Sequence, residues 1–180
     1  MNEFSPGQDA EDWPGTIHRT LAALDVRQIA YVPDAGHTRL LKLCAGDPAM
    51  RMVKLTREEE GIGLVAGAWL GGERGVLLMQ SSGVGNCINA IASITATCRF
   101  PLLMLVTMRG EWGEGNPWQV PMGRAAPDVL AAVGVEIARC KRAGEVAESV
   151  EAMAGLAFKS SCAAAVLLTQ RLIGAKSFQD

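Results

Sequence analysis

From Gly61 to Gly72 the chain carries no charge, and three carboxylates, Glu58, Glu59 and Glu60, stand directly before that run. Thr56 and Glu59 have the spacing of a capping box. The pattern therefore predicts a helix with Thr56 as its N-cap and Arg57 as its first residue. Nearly every later position is Gly, Ala, Val, Leu, Ile or Trp, and a helix apolar on all sides is buried on all sides. Positions 58, 61, 62, 65 and 69 share one face; after Glu58 they are Gly, Ile, Val and Trp. No Lys or Arg follows Glu58 three or four residues on to pair with it. Such a carboxylate either complements the helix dipole at a solvated rim or is held for chemistry. The box occupies Glu59, and Glu60 reads as solvated. Gly71 and Gly72 stop the helix. Gly75–Gln80 then reads as a buried strand, Ser81–Asn86 as a tight turn and Cys87–Cys98 as another apolar helix. Strand, tight turn, helix is the unit that brings ligands to the carboxyl end of a sheet.

The same alternation runs through the rest of the chain. Residues 1–13 read as a flexible lead. Pro14 opens a helix through Ile17, Thr20, Leu21 and Leu24. Val26–Val32 is strand-like, with a turn at Pro33–His37. A helix through Leu40, Leu41 and Leu43 ends near Gly46-Asp47-Pro48, and Met50–Leu55 is a second short strand. Beyond the central stretch, Pro101–Met108 reads as a buried parallel strand. Arg109–Arg124 is a long loop of the kind that is commonly functional. Ala125–Val133 is a helix, Val135–Cys140 a strand, Glu145–Ser160 an amphipathic helix and Ala163–Thr169 a last strand. Strands alternating with helices predict an α/β sandwich, three layers around a mainly parallel sheet, with residues 14–180 as a single domain.

Composition narrows the function. Of 180 residues 49% are hydrophobic, enough for one sizeable core, and the net charge of −2 suggests no polyanion partner. One Tyr and four Phe, with no basic and aromatic interleaving, argue against nucleic-acid binding. Cys44, Cys87, Cys98, Cys140 and Cys162 lack CxxC spacing, which fits free thiols in a reducing cytoplasm. His18 and His37 are the only histidines, so no histidine-rich metal site is expected. No apolar run reaches the roughly 20 residues that span a bilayer, and the acidic start is not a signal peptide. The Ser81–Asn86 turn lacks both the third glycine of a dinucleotide fingerprint and the Lys of a P-loop.

The block EEEGIGLVAGAW followed by MQSSGVGNCINAIAS resembles the pyrimidine-binding domain of thiamine diphosphate enzymes. It is most similar to the sulfopyruvate decarboxylase alpha subunits and to the first domain of phosphonopyruvate decarboxylases, from about Thr16 to Ile173. The resemblance implies that fold and a 2-oxo acid decarboxylase acting on an anionic 3-substituted pyruvate. It also implies one carboxyl that hydrogen-bonds a ring nitrogen of the cofactor's aminopyrimidine and so promotes proton removal from the thiazolium carbon. Gly67 matches the family glycine nine residues after that glutamate. This puts the role on Glu58, with Glu59 in reserve because the three acids adjoin. Gln80, Ser81, Ser82, Gly83, Gly85 and Asn86 would line the cofactor pocket, with Asn89 nearby. His37, Arg109 and Gln119, with Arg124 beside them, would face the substrate; an arginine suits a sulfonate or phosphonate.

In this family the diphosphate is held through Mg²⁺ by a second domain with a GDG motif, and this sequence has no GDG. The resemblance therefore implies an alpha chain that binds no metal itself and shares thiamine diphosphate with a beta chain carrying the Mg²⁺ half. It also implies self-association through the pyrimidine domain. The alternatives are a carboligase subunit, a non-catalytic α/β module that keeps the scaffold, or, against the missing fingerprint, a Rossmann-like nucleotide binder.

Overall fold

The computed structural model describes residues 12–175. Six parallel strands form one sheet: β1 (Val26–Tyr31), β2 (Arg51–Lys54), β3 (Arg74–Gln80), β4 (Leu102–Thr107), β5 (Glu136–Cys140) and β6 (Ala163–Leu168), in the order β2-β1-β3-β4-β6-β5. Apart from the polar ends Arg74, Gln80 and Thr107, strands β3, β4 and β6 carry no polar side chain. Every residue of β4 and β6 is buried, as expected of strands covered on both faces. Each fully buried Leu or Val there contributes roughly 1.5–3 kcal/mol of transfer free energy.

Helices α1 (Trp13–Ala23), α2 (Thr38–Ala45) and α6 (Val146–Ser160) cover one face of the sheet. Helices α3 (Glu58–Leu70), α4 (Val84–Ala90) and α5 (Val120–Ala132) cover the other. The chain leaves β1 toward β2 on one side and returns over β1 to β3 on the other. The strand order thus reverses between β1 and β3, where ligands enter open α/β sheets at the carboxyl ends.

Four expectations change. Residues 1–11 of the anticipated lead lie outside the described residues, while Asp12 caps α1 by accepting from the Gly15 amide at 3.1 Å and Trp13 begins the helix. Helix α3 starts at Glu58, not Arg57. Arg57 is the extended N-cap residue and gives no side-chain cap, and the acid that reaches back is Glu60, whose Oε2 accepts from the Thr56 amide at 3.0 Å. No capping box forms, because Glu60 reaches the amide before the N-cap and not that of Arg57 itself. Helix α4 starts at Val84, after a 3₁₀ turn at Ser81–Gly83, and continues as a π-helical turn over Ile91–Ala96. Helix α5 starts at Val120, not Ala125, because Pro121 sits in its first turn, where a missing N–H costs nothing. A short helix α7 (Gln170–Ile173) follows β6.

Candidate functional site at the carboxyl end of the sheet

The three glutamates at the mouth of α3 have three different fates. Glu60 reaches back to the Thr56 amide. Glu58 accepts from Asn86 Nδ2 at 2.8 Å and lies flat against Gly83. A Cβ at Gly83 would stand 2.4–2.5 Å from Glu58 Cγ, Cδ and Oε1, so only glycine admits that carboxyl. Glu59 is half-buried. Its Oε1 pairs with Arg57 Nε at 2.7 Å, while its Oε2 is buried with no hydrogen-bond partner. A buried oxygen without a donor costs desolvation free energy unless something else supplies the donor. Both carboxylates are felt at Cys87 in α4: burial first, then Glu58 and Glu59, push its thiol up to about 12.

The turn after β3 is wired to the loop after β4. Ser81 is fully buried, and its Oγ accepts from the Arg109 amide at 3.1 Å. Gln80 Nε2 donates to Ser82 Oγ at 3.0 Å and to Gln119 Oε1 at 3.2 Å, with Gln119 itself buried. Ser82, Gly85 and Asn86 are exposed on this crest, as is Asn89. Met122, at the start of α5, lies over Gly85, where an added Cβ would be 3.3 Å from its Cε. Gln80, Ser81, Ser82, Gly83, Gly85 and Asn86 thus form one turn at the carboxyl end of β3, with Gly83 and Asn86 against Glu58.

His37 and Arg109 are placed otherwise. His37 is fully buried beneath the strand-order reversal; its Nε2 donates to the carbonyls of Leu105 at 3.1 Å and Met79 at 3.3 Å, and its Nδ1 has no partner. It bridges β3 and β4 and does not face a substrate. Burial pushes its pKa down, so it is a neutral donor. Above it, Asp34 accepts from the Gly36 amide at 2.9 Å and from Thr107 Oγ1 at 2.7 Å.

Arg109 is committed to Glu114 by two bonds of 2.7 and 2.6 Å, with side chains 9% and 3% exposed. Glu114 also accepts from the amides of Gly110 (3.1 Å) and Asn116 (2.9 Å) and from Gln170 Nε2 (2.9 Å). The Arg109 guanidinium, with those donors, holds its carboxyl down to about 2. The side-on fork of that guanidinium, Nε with Nη2, is thus taken by Glu114 and held within the chain. Arg124 is exposed, on α5.

Glu114 and Gln170 were not anticipated. The signal for Glu114 was faint: one acid five residues after Arg109 among glycines. Gln170 lies far off in sequence. Its Oε1 accepts from the amides of Glu111 and Trp112 at 3.1 and 2.9 Å, so the loop is tied to the end of β6. Among the described residues no helix is long and apolar enough to cross a membrane.

Against known proteins, residues 15–135 match the family described as thiamine pyrophosphate enzyme, N-terminal TPP binding domain. The sulfopyruvate decarboxylase subunit alpha of Methanothermobacter thermautotrophicus is 39% identical over 137 residues, covering 76% of this chain and 83% of that one. A phosphonopyruvate decarboxylase from Streptomyces viridochromogenes is 39% identical over 111 residues, 61% of this chain and 28% of that protein. A solved 2-oxoglutarate:ferredoxin oxidoreductase from Magnetococcus marinus superposes with a TM-score of 0.72 at 13% identity, over 96% of this chain and 32% of that one, which is a likeness of fold.

Proposed function

Since the chain belongs to the thiamine pyrophosphate enzymes and is the alpha subunit of a thiamine diphosphate-dependent 2-oxo acid decarboxylase, we propose that Glu59 is the carboxyl that meets the cofactor's aminopyrimidine ring. The observation that carries this is the buried, unpartnered Glu59 Oε2 at the mouth of α3, beside the strand-turn-helix at Gln80–Asn86. A ring nitrogen can supply the partner that oxygen lacks, so the residues present fit the cofactor. Glu58 keeps the support of Gly67, nine residues on, while the capping box expected at Glu59 does not form. Glu60 instead accepts from the Thr56 amide, and Glu58 engages one oxygen with Asn86.

When bound, thiamine diphosphate supplies the nucleophilic thiazolium carbon and holds the electron pair freed as CO₂ leaves. This chain's residues do the rest on the pyrimidine side. Glu59 holds or passes a proton at Oε2. Gln80, Ser82, Gly83 and Gly85 line the turn beside it, and Ser81 secures that turn from below. Gln119, joined to Gln80, reaches the substrate side. His37 and Arg109 support the crest from within. Closing a partner over the half-buried carboxylates excludes water and strengthens every hydrogen bond there.

The substrate we propose is an anionic 3-substituted pyruvate, sulfopyruvate or phosphonopyruvate. Residues 14–180 act as one pyrimidine-binding domain in the cytoplasm. A beta chain supplies the diphosphate half with its Mg²⁺, and the alpha chains associate with one another in the assembly. Support comes from relatives named as alpha subunits. The test is co-expression with the candidate beta chain, followed by measurement of CO₂ release from each 2-oxo acid with thiamine diphosphate and Mg²⁺. Turnover is expected from the pair and not from the purified alpha chain alone. Full activity of the lone chain, or no turnover of either acid by an assembled pair, would contradict the proposal.

A further inference from the structure

We infer that the chain carries a second binding site, for a small tetrahedral oxyanion of the phosphate or sulfate kind, at the amino end of the sheet, opposite the crest. Strand β6 lies between β4 and β5, so the turns that lead into these three parallel strands are neighbours there. The Leu102 amide donates to the Cys162 carbonyl at 3.1 Å and ties two of the turns together. Among them lies a cavity of about 210 Å³. Thr95 comes to it from the π-helical turn after α4, Arg99 from the link into β4 and Gly134 from the turn into β5, while Ser160, Ser161 and Cys162 come from the end of α6 and the turn into β6. The lining is rich in donors: Arg99 is its one charged residue, and no carboxylate lines it. The Cys162 thiol adds no negative charge, because burial first, then Glu136 on β5, push it up, with Arg99 pulling the other way. Thr95 gives an independent sign that a partner is missing. Three hydroxyls lie in or beside the π-helical turn. Ser93 Oγ donates to the Asn89 carbonyl at 2.7 Å, and Thr97 Oγ1 to the Ala92 carbonyl at 2.9 Å. Thr95 is 2% exposed, yet its Oγ1 has no hydrogen-bond partner. A buried hydroxyl of that kind costs free energy that an apolar side chain of the same shape does not, and an acceptor supplied through the cavity offsets the cost. An oxyanion presents acceptors on every side, to the guanidinium by charge-assisted bonds and to the hydroxyls by ordinary ones. Size narrows the ligand, because pockets for drug-sized molecules begin at roughly 300 Å³. This cavity takes one small ion with its water.

The experiment titrates the full 180-residue chain with sodium phosphate, with sodium sulfate and, at matched ionic strength, with sodium chloride. Affinity is read by calorimetry and the thermal midpoint by scanning. Phosphate, sulfate or both are expected to bind saturably and to raise the midpoint, because a ligand of the folded state stabilises it, while chloride leaves it in place. The arm with the tighter binding names the ion. Arg99→Gln is expected to weaken binding roughly tenfold or more, through loss of the charge-assisted bonds. Thr95→Val keeps the shape of the side chain and removes Oγ1. It is expected to raise the midpoint of the ion-free chain and to weaken binding roughly fivefold, a pairing of effects that a merely structural hydroxyl would not give. Arg19→Gln, on the exposed side of α1, is expected to bind as the unaltered chain does. The inference is overturned if chloride stabilises as much as the oxyanions, if neither oxyanion binds saturably, or if Arg99→Gln binds with unchanged affinity. It is also overturned if Thr95→Val lowers the ion-free midpoint, since the hydroxyl would then be satisfied within the fold. Should Arg99→Gln fail to fold, Thr95→Val decides by the same two readouts. No residue of the crest enters this test, so its failure leaves the thiamine diphosphate reading standing.

Discussion

Two polar regions share the crest of this sheet and differ in one respect. In the loop after β4, the charges that decide its shape are answered from within the chain: Arg109 by Glu114, Glu111 by Arg139, and the Arg171 guanidinium lies 3.6 Å from the centre of the Trp112 ring. At the mouth of α3, one of three adjacent carboxylates keeps a buried oxygen with no donor. A region whose polar atoms satisfy one another is architecture. A carboxylate at a helix mouth that leaves one oxygen unsatisfied has room for a donor from outside. The contrast sets Arg109 in the scaffold and underlies the proposal of Glu59 for the chemistry.

The sharpest way to break this contrast is at the buried ion pair. Arg109→Ala leaves Glu114 buried and unpaired, and should destabilise the chain by about 3–5 kcal/mol in denaturant unfolding. Were Arg109 a substrate ligand, stability would hold and KM would rise instead. The same pair gives a pH signature. The folded pKa of Glu114 lies at about 2, below its ordinary 4.5. Its stabilisation is therefore full above the unfolded value and is lost as pH falls from about 5 toward 2. If Glu114→Gln loses stability across that window just as the unaltered chain does, the pair is not the source of the loss.

Next in size is Gly83→Ala. The new methyl displaces Glu58 and should cost about 1–3 kcal/mol, with the Glu58–Asn86 bond broken, as read by thermal unfolding. By contrast Gly63→Ala, on the open side of α3 where an added Cβ meets nothing within 4 Å, should be neutral or slightly stabilising. His37 gives a milder effect at higher pH. Burial lowers its pKa, so the unfolded chain binds a proton that the folded chain refuses. Its contribution is full above the unfolded value of about 6.5 and declines as pH drops below it. Replacement by Gln should flatten the stability curve between about pH 6.5 and 5. Smallest of all, thiol labelling of the folded chain should reach the exposed Cys98 and spare Cys44 and Cys87, both pushed up to about 12 chiefly by burial.

Much of the fold was legible because its signals are local and repeated. The all-apolar runs in β4 and β6, the glycines that end α3 and the amphipathic stripe of α6 each fix an element by themselves. The strand, turn and helix over Gln80–Asn86 were legible in the glycines and apolar runs, and the family resemblance named them as a group; the structure sets Gly83 and Asn86 against Glu58. What escaped depended on distance or on a single residue's register. Gln170 caps a loop nearly sixty residues earlier, a contact that no spacing rule encodes. His37 is polar and sits in a turn, yet two strand carbonyls bury it. Thr56 and Glu59 fit the capping template, but the helix begins one residue later, so Glu60 reaches back to the Thr56 amide and Glu59 pairs with Arg57. That one-residue shift also transfers the proposed chemistry from Glu58 to Glu59.

The central claim is tested most directly by comparing Glu59→Gln with Glu58→Gln in the reconstituted decarboxylase, reading single-turnover CO₂ release at saturating cofactor. The account predicts that Glu59→Gln assembles and binds thiamine diphosphate, yet turns over roughly 100-fold or more slowly. It predicts that Glu58→Gln stays within about threefold of wild type. The opposite ranking, with Glu58→Gln inert and Glu59→Gln active, would contradict it.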